Sequence, residues 1–187
     1  EVIGMDNNEN ALEKANLLGI TTYHSGKISG SDMFQHVFGG IGADAVIITA
    51  SAAAPLTNYA AEICRKRGRI VLVGVVSNDL NRDLFYKKEL RFQVACSYGP
   101  GRYDPVYEEQ GVDYPIGFVR WTESRNIEAV LQLMSNGKIS TKHLLYRQSE
   151  FDDVIENFYS KLDELKWGNL IKYHSTNHSF SSAIQLQ

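Results

Sequence analysis

Ala43-Asp44-Ala45-Val46-Ile47-Ile48-Thr49-Ala50 and Arg69-Ile70-Val71-Leu72-Val73-Gly74 flank a stretch of helical texture, residues 55–66. Val46, Ile47 and Ile48 form an unbroken β-branched run, the pattern of a strand covered on both faces. Leu56, Tyr59, Ala60 and Ile63 recur at helical spacing between the two strands. Pro55 suits the first turn of that helix, and Gly68 suits its end. Strand, helix and strand in this order predict a parallel pair joined by a helical crossover.

The same alternation extends in both directions. Upstream, residues 2–5 read as a short strand ending at Asp6. Ala11, Leu12, Ala15 and Leu18 then mark a helix over residues 8–18, capped by Asp6 or Asn7 and closed by Gly19. Residues 21–24 read as a strand. Residues 31–38 read as a short helix with Met33, Val37 and Phe38 on its apolar side, ended by Gly39, Gly40 and Gly42. Downstream, residues 90–96 read as a third buried strand. The expected class is α/β, an open and mainly parallel sheet with helices on both faces.

After Cys96 the texture changes. Residues 97–115 are rich in Gly, Pro and Tyr and read as a long ordered loop. Ile127, Val130, Leu131 and Met134 mark an amphipathic helix stopped by Gly137. Residues 143–146 read as a strand. Residues 151–162 again show helical spacing, and 170–173 read as a last strand. Residues 174–187 are polar and Ser-rich and read as a flexible tail.

Composition narrows the function classes. The 187 residues are 43% apolar and 22% charged, ordinary values for a globular chain, so collagen, coiled coil and wholesale disorder are excluded. The 19 basic residues are matched by 22 acidic ones, which gives no reason to expect nucleic acid or an anionic membrane as partner. No apolar run approaches the roughly 20 residues of a membrane span. Cys64 and Cys96 are two isolated cysteines, which argues against a disulfide scaffold or a Cys-based zinc finger; both read as packing thiols. The chain opens on Glu1 within the first strand, and so reads as a piece of something longer, with a cytoplasmic setting expected.

The residues that carry chemistry lie at strand ends. An acidic group closing a strand, as Asp6 does with Asn7 beside it, accepts hydrogen bonds from ribose hydroxyls in dinucleotide folds and repels a 2′-phosphate. A helix N-cap explains Asp6 equally well. Thr49, Ala50 and Ser51 follow one strand and Gly74 and Val75 the next, where ligands of open α/β sheets bind; ordinary tight turns use the same residues. The run Gly40-Ile41-Gly42-Ala43-Asp44-Ala45 matches G-x-G-x-x-A in form. It leads into a strand instead of following one, so it is not read as a phosphate loop. The run Ser97-Tyr98-Gly99-Pro100-Gly101-Arg102-Tyr103-Asp104 reads either as the lining of a sugar or nucleotide pocket or as a rigid structural loop. His24, His36 and His143 have no Cys or His at ligand spacing. His174 and His178 are four apart but fall in the tail.

The order of parts resembles the medium-chain dehydrogenase/reductase superfamily, the zinc-type alcohol dehydrogenases. The matching pieces are Val2-Ile3-Gly4-Met5-Asp6, Ala15-Asn16-Leu17-Leu18-Gly19, Gly42-Ala43-Asp44-Ala45-Val46-Ile47 and Lys66-Arg67-Gly68-Arg69-Ile70-Val71-Leu72-Val73-Gly74. Met134-Ser135-Asn136-Gly137-Lys138-Ile139 and Phe151-Asp152-Asp153-Val154 continue the series. The stretch from Tyr86-Lys87-Lys88-Glu89-Leu90 through Asp104, with Val119-Arg120-Trp121-Thr122, resembles a bacterial two-domain oxidoreductase subgroup.

The resemblance implies a Rossmann-like nucleotide-binding domain over residues 1–146, without its first strand and glycine loop. It implies that residues 147–173 return to a catalytic domain, which would precede Glu1 in the same polypeptide. The implied cofactor is NAD or NADP, with zinc not expected in this chain. Asp6 and Asn7 would lie at the ribose. Thr49, Ala50 and Ser51 would flank it, and Gly74, Val75 and Ser97 would approach the nicotinamide. No catalytic residue is implied, and the isolated chain is expected to be inactive. Many relatives carry a basic residue five positions after the acid, where this chain has Ala11.

Without a first strand, the remaining ones are expected either to close up in the order 2-1-3-4-5 or to leave edges that a homodimer covers. Two other functions fit the same order of elements: an S-adenosylmethionine-dependent methyltransferase core, and a non-catalytic module that works by self-association.

Overall fold

The computed structural model describes residues 1–52, 55–77, 79–164 and 168–173. Over residues 1–123 it alternates β1 (Ile3–Asp6), α1 (Glu9–Leu17), β2 (Thr21–His24), α2 (Gly30–Asp32), β3 (Ala43–Ile48), α3 (Leu56–Ile63), β4 (Cys64–Leu72), α4 (Arg82–Lys88) and β5 (Arg91–Val94), followed by the short α5 (Pro105–Glu108). Every strand pair is parallel. This is the α/β, Rossmann-like architecture that the alternation predicts. The chain forms two units, Glu1–Glu123 and Ser124–Gln187.

The first unit holds two separate sheets, β1-β2 and β3-β4-β5. The expected closure between β1 and β3 is therefore not made. The chain between β2 and β3 is held by α3 instead: Gly30 lies so close under Glu62 that a Cβ would sit 2.1 Å from its carboxylate oxygen, and the Tyr59 hydroxyl donates to the Ile28 carbonyl at 3.4 Å. The inner edges of β1 and β3 carry no strand among the described residues.

The core belongs to the second sheet. Ile48, Ala60, Ala61, Cys64, Ile70 and Leu72 form it, with Val46, Phe85 and Phe92 packed alongside. Register puts Val46, Ile70 and Phe92 in one row on the covered face, and Ile47 and Val71 on the other. Ile47 is 65% exposed, so the cover on both faces read from its β-branched run does not hold there. Apolar character reports a strand's capacity to be covered, not the cover itself.

Three local readings change. The helix begins at Asn8, whose side chain accepts from the Asn10 and Ala11 amides at 3.0 and 3.4 Å, so neither Asp6 nor Asn7 is its cap. α3 stops at Ile63, not at 66, because Cys64 is already extended and opens β4. The Lys88 ammonium meets the carbonyls left open there, donating to Ala61, Glu62 and Cys64 at 3.0, 2.6 and 2.8 Å. β4 then bulges: Cys64 pairs with Ala43, but Arg69 pairs with Ala45, and Arg67 between them adopts φ +59°. Finally, α4 was not legible from periodicity. Asn81 caps it, Asp83 pairs with Lys87 at 3.1 Å, and Glu89 closes it at φ +48°.

The second unit contains most of α6 (Glu123–Ser135), then β6 (Leu145–Glu150), α7 (Val154–Asn157) and β7 (Gly168–Lys172). β6 and β7 pair in parallel, and Phe151 stacks on Tyr173 at 4.7 Å. The helix predicted over 151–162 is broken: α7 ends at Asn157, and Lys161 sits outside helical geometry at φ −123°, ψ 25°. The expected tail, with His174 and His178, lies outside the described residues.

Candidate functional site

The carboxyl ends of β3, β4 and β5 meet closely. The Val73 and Gly74 amides both donate to the Ile48 carbonyl at 2.9 Å, and Ala52 donates to Val75 at 3.0 Å. Ala52 and Val76 form a further parallel bridge. A Cβ on Gly74 would lie 2.0 Å from the Ala50 carbonyl oxygen, so only glycine permits this approach. The structure thus brings Thr49, Ala50 and Ser51 beside Gly74 and Val75, all exposed or half-buried. Ser97 follows β5, whose continuation is held by Ala95 donating to Leu72 at 2.8 Å.

Asp6 and Asn7 end the other sheet and share no ladder with these residues. One Asp6 carboxylate oxygen accepts the Asn8 amide at 2.8 Å; the other has no partner among the described residues. His24 is its register neighbour, a residue for which sequence spacing assigned no role. The His24 Nδ1 accepts the Gly26 amide at 3.0 Å, and its Nε2 faces Glu9 at 3.9 Å. Lys27 holds the same carboxylate at 2.5 Å and keeps Glu9 below the usual carboxylate range.

Small residues at strand ends and an acid with a spare oxygen are the residue types that meet ribose hydroxyls in dinucleotide folds. A phosphate cradle is another matter. Gly40 and Gly42, at φ +72° and +97°, precede β3, so the G-x-G-x-x-A run sits at the wrong end of its strand for that task. Among the described residues no group of three His, Cys, Asp or Glu side chains gathers that could hold a metal ion.

The loop from Ser97 to Asp104 is bound to itself. Arg102 pairs with Glu108, and its guanidinium lies over the Tyr103 ring at 4.5 Å and the Tyr98 ring at 5.6 Å. The Tyr114 hydroxyl donates to Asp104 and holds that carboxylate below its ordinary range. Tyr107 stacks on Tyr114 at 5.6 Å. Arg102 and its neighbouring tyrosines are thus tied together by contacts within residues 98–114. Cys64 is fully buried as predicted, whereas Cys96, also read as a packing thiol, is exposed.

A family model described as zinc-binding dehydrogenase matches residues 1–110. The chain belongs to the zinc-binding dehydrogenase family. It carries part of the nucleotide-binding domain of these medium-chain dehydrogenases. No curated protein matches it in sequence. Among solved structures, benzyl alcohol dehydrogenase from Acinetobacter calcoaceticus overlays with a TM-score of 0.64 at 14% identity, covering 91% of this chain and 42% of that one. A protein described as a short chain alcohol dehydrogenase from E. coli CFT073, crystallised with NADH, gives 0.61 at 20% identity, with 89% and 41% covered. 2R,3R-butanediol dehydrogenase from Bacillus subtilis gives 0.60 at 17%, with 87% and 40% covered. These likenesses show the fold. The chain spans about two fifths of the length of those structures. No described helix is long and apolar enough to cross a membrane.

Proposed function

We propose that this chain is the nucleotide-binding portion of an NAD(P)-dependent alcohol or sugar dehydrogenase. The observation that carries the reading is Asp6: a carboxylate at the carboxyl end of a parallel strand, relieved of helix capping by Asn8, with one oxygen unclaimed among the described residues. Asp6 and Asn7 bind the adenosine ribose. Thr49, Ala50 and Ser51 flank it, and Gly74, Val75 and Ser97 lie toward the nicotinamide. The bound nicotinamide would exchange hydride with an alcohol or sugar carbon in the intact enzyme. This chain's residues bind and orient; the acid–base work belongs to a catalytic domain of the same polypeptide, to which residues 147–173 return. The isolated chain is accordingly inactive, and the intact protein works in the cytoplasm as a homodimer.

Titration of the purified chain with NADH and NADPH tests this. Tighter binding of NADH supports it, because the Asp6 carboxylate repels a 2′-phosphate. A folded sample that binds neither overturns it. The methyltransferase and self-association alternatives gain nothing from the family match.

A further inference from the structure

At the opposite end of β3 and β4 from the proposed cofactor residues lies a depression of about 360 Å³, lined by Phe34, Gly40, Ile41, Arg65, Lys66 and Lys88. We propose that it is a binding site for a small aromatic carboxylate.

The walls are apolar and the rim is cationic. Phe34 belongs to a turn of widened helix, Met33–Val37, in which the Phe38 amide reaches back five residues to the Met33 carbonyl at 3.1 Å. Such i→i+5 turns occur frequently at functional sites. The glycine-rich run lies against it. Gly42 at φ +97° is pressed on both sides, since a Cβ there would meet Phe34 at 2.8 Å and the Arg65 amide nitrogen at 2.6 Å. This close fit leaves Ile41 72% exposed, an isolated apolar surface beside three cations.

The cations are not equivalent. Lys88 spends its three N–H groups on the carbonyls at the end of α3 and contributes its field, lying over the Phe34 ring at 4.7 Å. Arg65 gives Nε to Asp44 at 2.6 Å and Nη1 to the Lys66 carbonyl at 2.8 Å, which leaves Nη2 without a partner among the described residues. The Lys66 ammonium has no carboxylate partner among them either. A flat apolar body over Phe34, Ile41 and Gly40, with an anionic group reaching Arg65 Nη2 and Lys66 Nζ, satisfies both parts of the lining. A carboxylate accepts one charge-assisted hydrogen bond from each of these two cations.

The test titrates the full chain with 1-naphthoate and with its uncharged analogue 1-naphthalenemethanol, following amide shifts by NMR. The expected result is tighter binding of naphthoate, with shifts centred on Gly40, Ile41, Arg65 and Lys66. Lys66→Glu should weaken naphthoate roughly tenfold and leave the alcohol unchanged; Lys66→Gln should weaken it about two- to fivefold, the range of an exposed ion pair. Ile41→Ser should weaken both ligands. Equal affinity for the two compounds, shifts centred elsewhere, indifference to Lys66→Glu, or no binding at all would each overturn the proposal. Because NADH is absent from the titration, the result is independent of the cofactor reading.

Discussion

Asp6 and the two cysteines show how one side chain's surroundings decide its chemistry. Asp6→Asn keeps the shape and removes the charge. We expect it to weaken NADH by about tenfold or more, the scale of one hydrogen bond to a charged group, and to narrow the preference over NADPH. Fluorescence titration of the variant checks this, and unchanged affinity would remove Asp6 from the site. Cys64 is fully buried, and burial pushes its thiol up to about 11 from an ordinary 9.0, against the opposing fields of Lys88 and Arg65. A thiol reagent at neutral pH should therefore label Cys96 in the native chain and both cysteines in denaturant. The unfolded chain ionises Cys64 first, so its contribution to stability is complete below pH 9 and disappears as pH rises toward 11. Over that interval the wild type should lose on the order of 2 kcal/mol relative to Cys64→Ala in urea melts. Parallel pH profiles would refute this.

At the level of elements, the junction of α3 and β4 is the informative case. Helix and strand meet at Cys64 without a connecting residue, and the open carbonyls are met by Lys88 from α4, 24 to 27 positions away. Lys88→Met keeps the stem and removes the donors. A loss of roughly 1–3 kcal/mol in urea unfolding is expected, because the part-buried Ala61 and Cys64 carbonyls are left unmet. A change within experimental error would show that water replaces the ammonium. This junction also marks what was legible beforehand. The strands at Val46, Ile70 and Phe92 were readable because period and β-branching act over a few residues. The end of α3 was not: it is fixed by a side chain distant in sequence. The break in the helix at Lys161 was equally invisible, since Phe158 and Leu162 keep the apolar spacing that a continuous helix would show. For the site, Asp6 and the small residues at the strand ends were readable from order and type. Asn8 as the cap was not separable from Asp6 and Asn7 without coordinates, since all three are good caps.

For the whole molecule, the division of the first unit into two sheets matters most. β1 and β3 each present one unpaired parallel edge among the described residues. Such edges are templates for added strands. The chain in solution should accordingly associate as its concentration rises, with a sedimentation coefficient that climbs across the range measured. A value that stays monomeric throughout would count against edge pairing and against the homodimer.

The same division has a consequence for cooperativity. All the residues of the main core lie between Ile48 and Leu72, while the first sheet and its helix contribute Leu12 as their buried apolar residue. Residues 3–24 are thus able to melt as a separate foldon while β3, β4 and β5 keep their protection. Native-state hydrogen exchange should find the Met5 and Tyr23 amides opening at a lower free energy than Ile70 and Leu72. Asp6 would then belong to the least protected part of the fold, and any ligand it holds would draw down its own affinity to keep that part ordered.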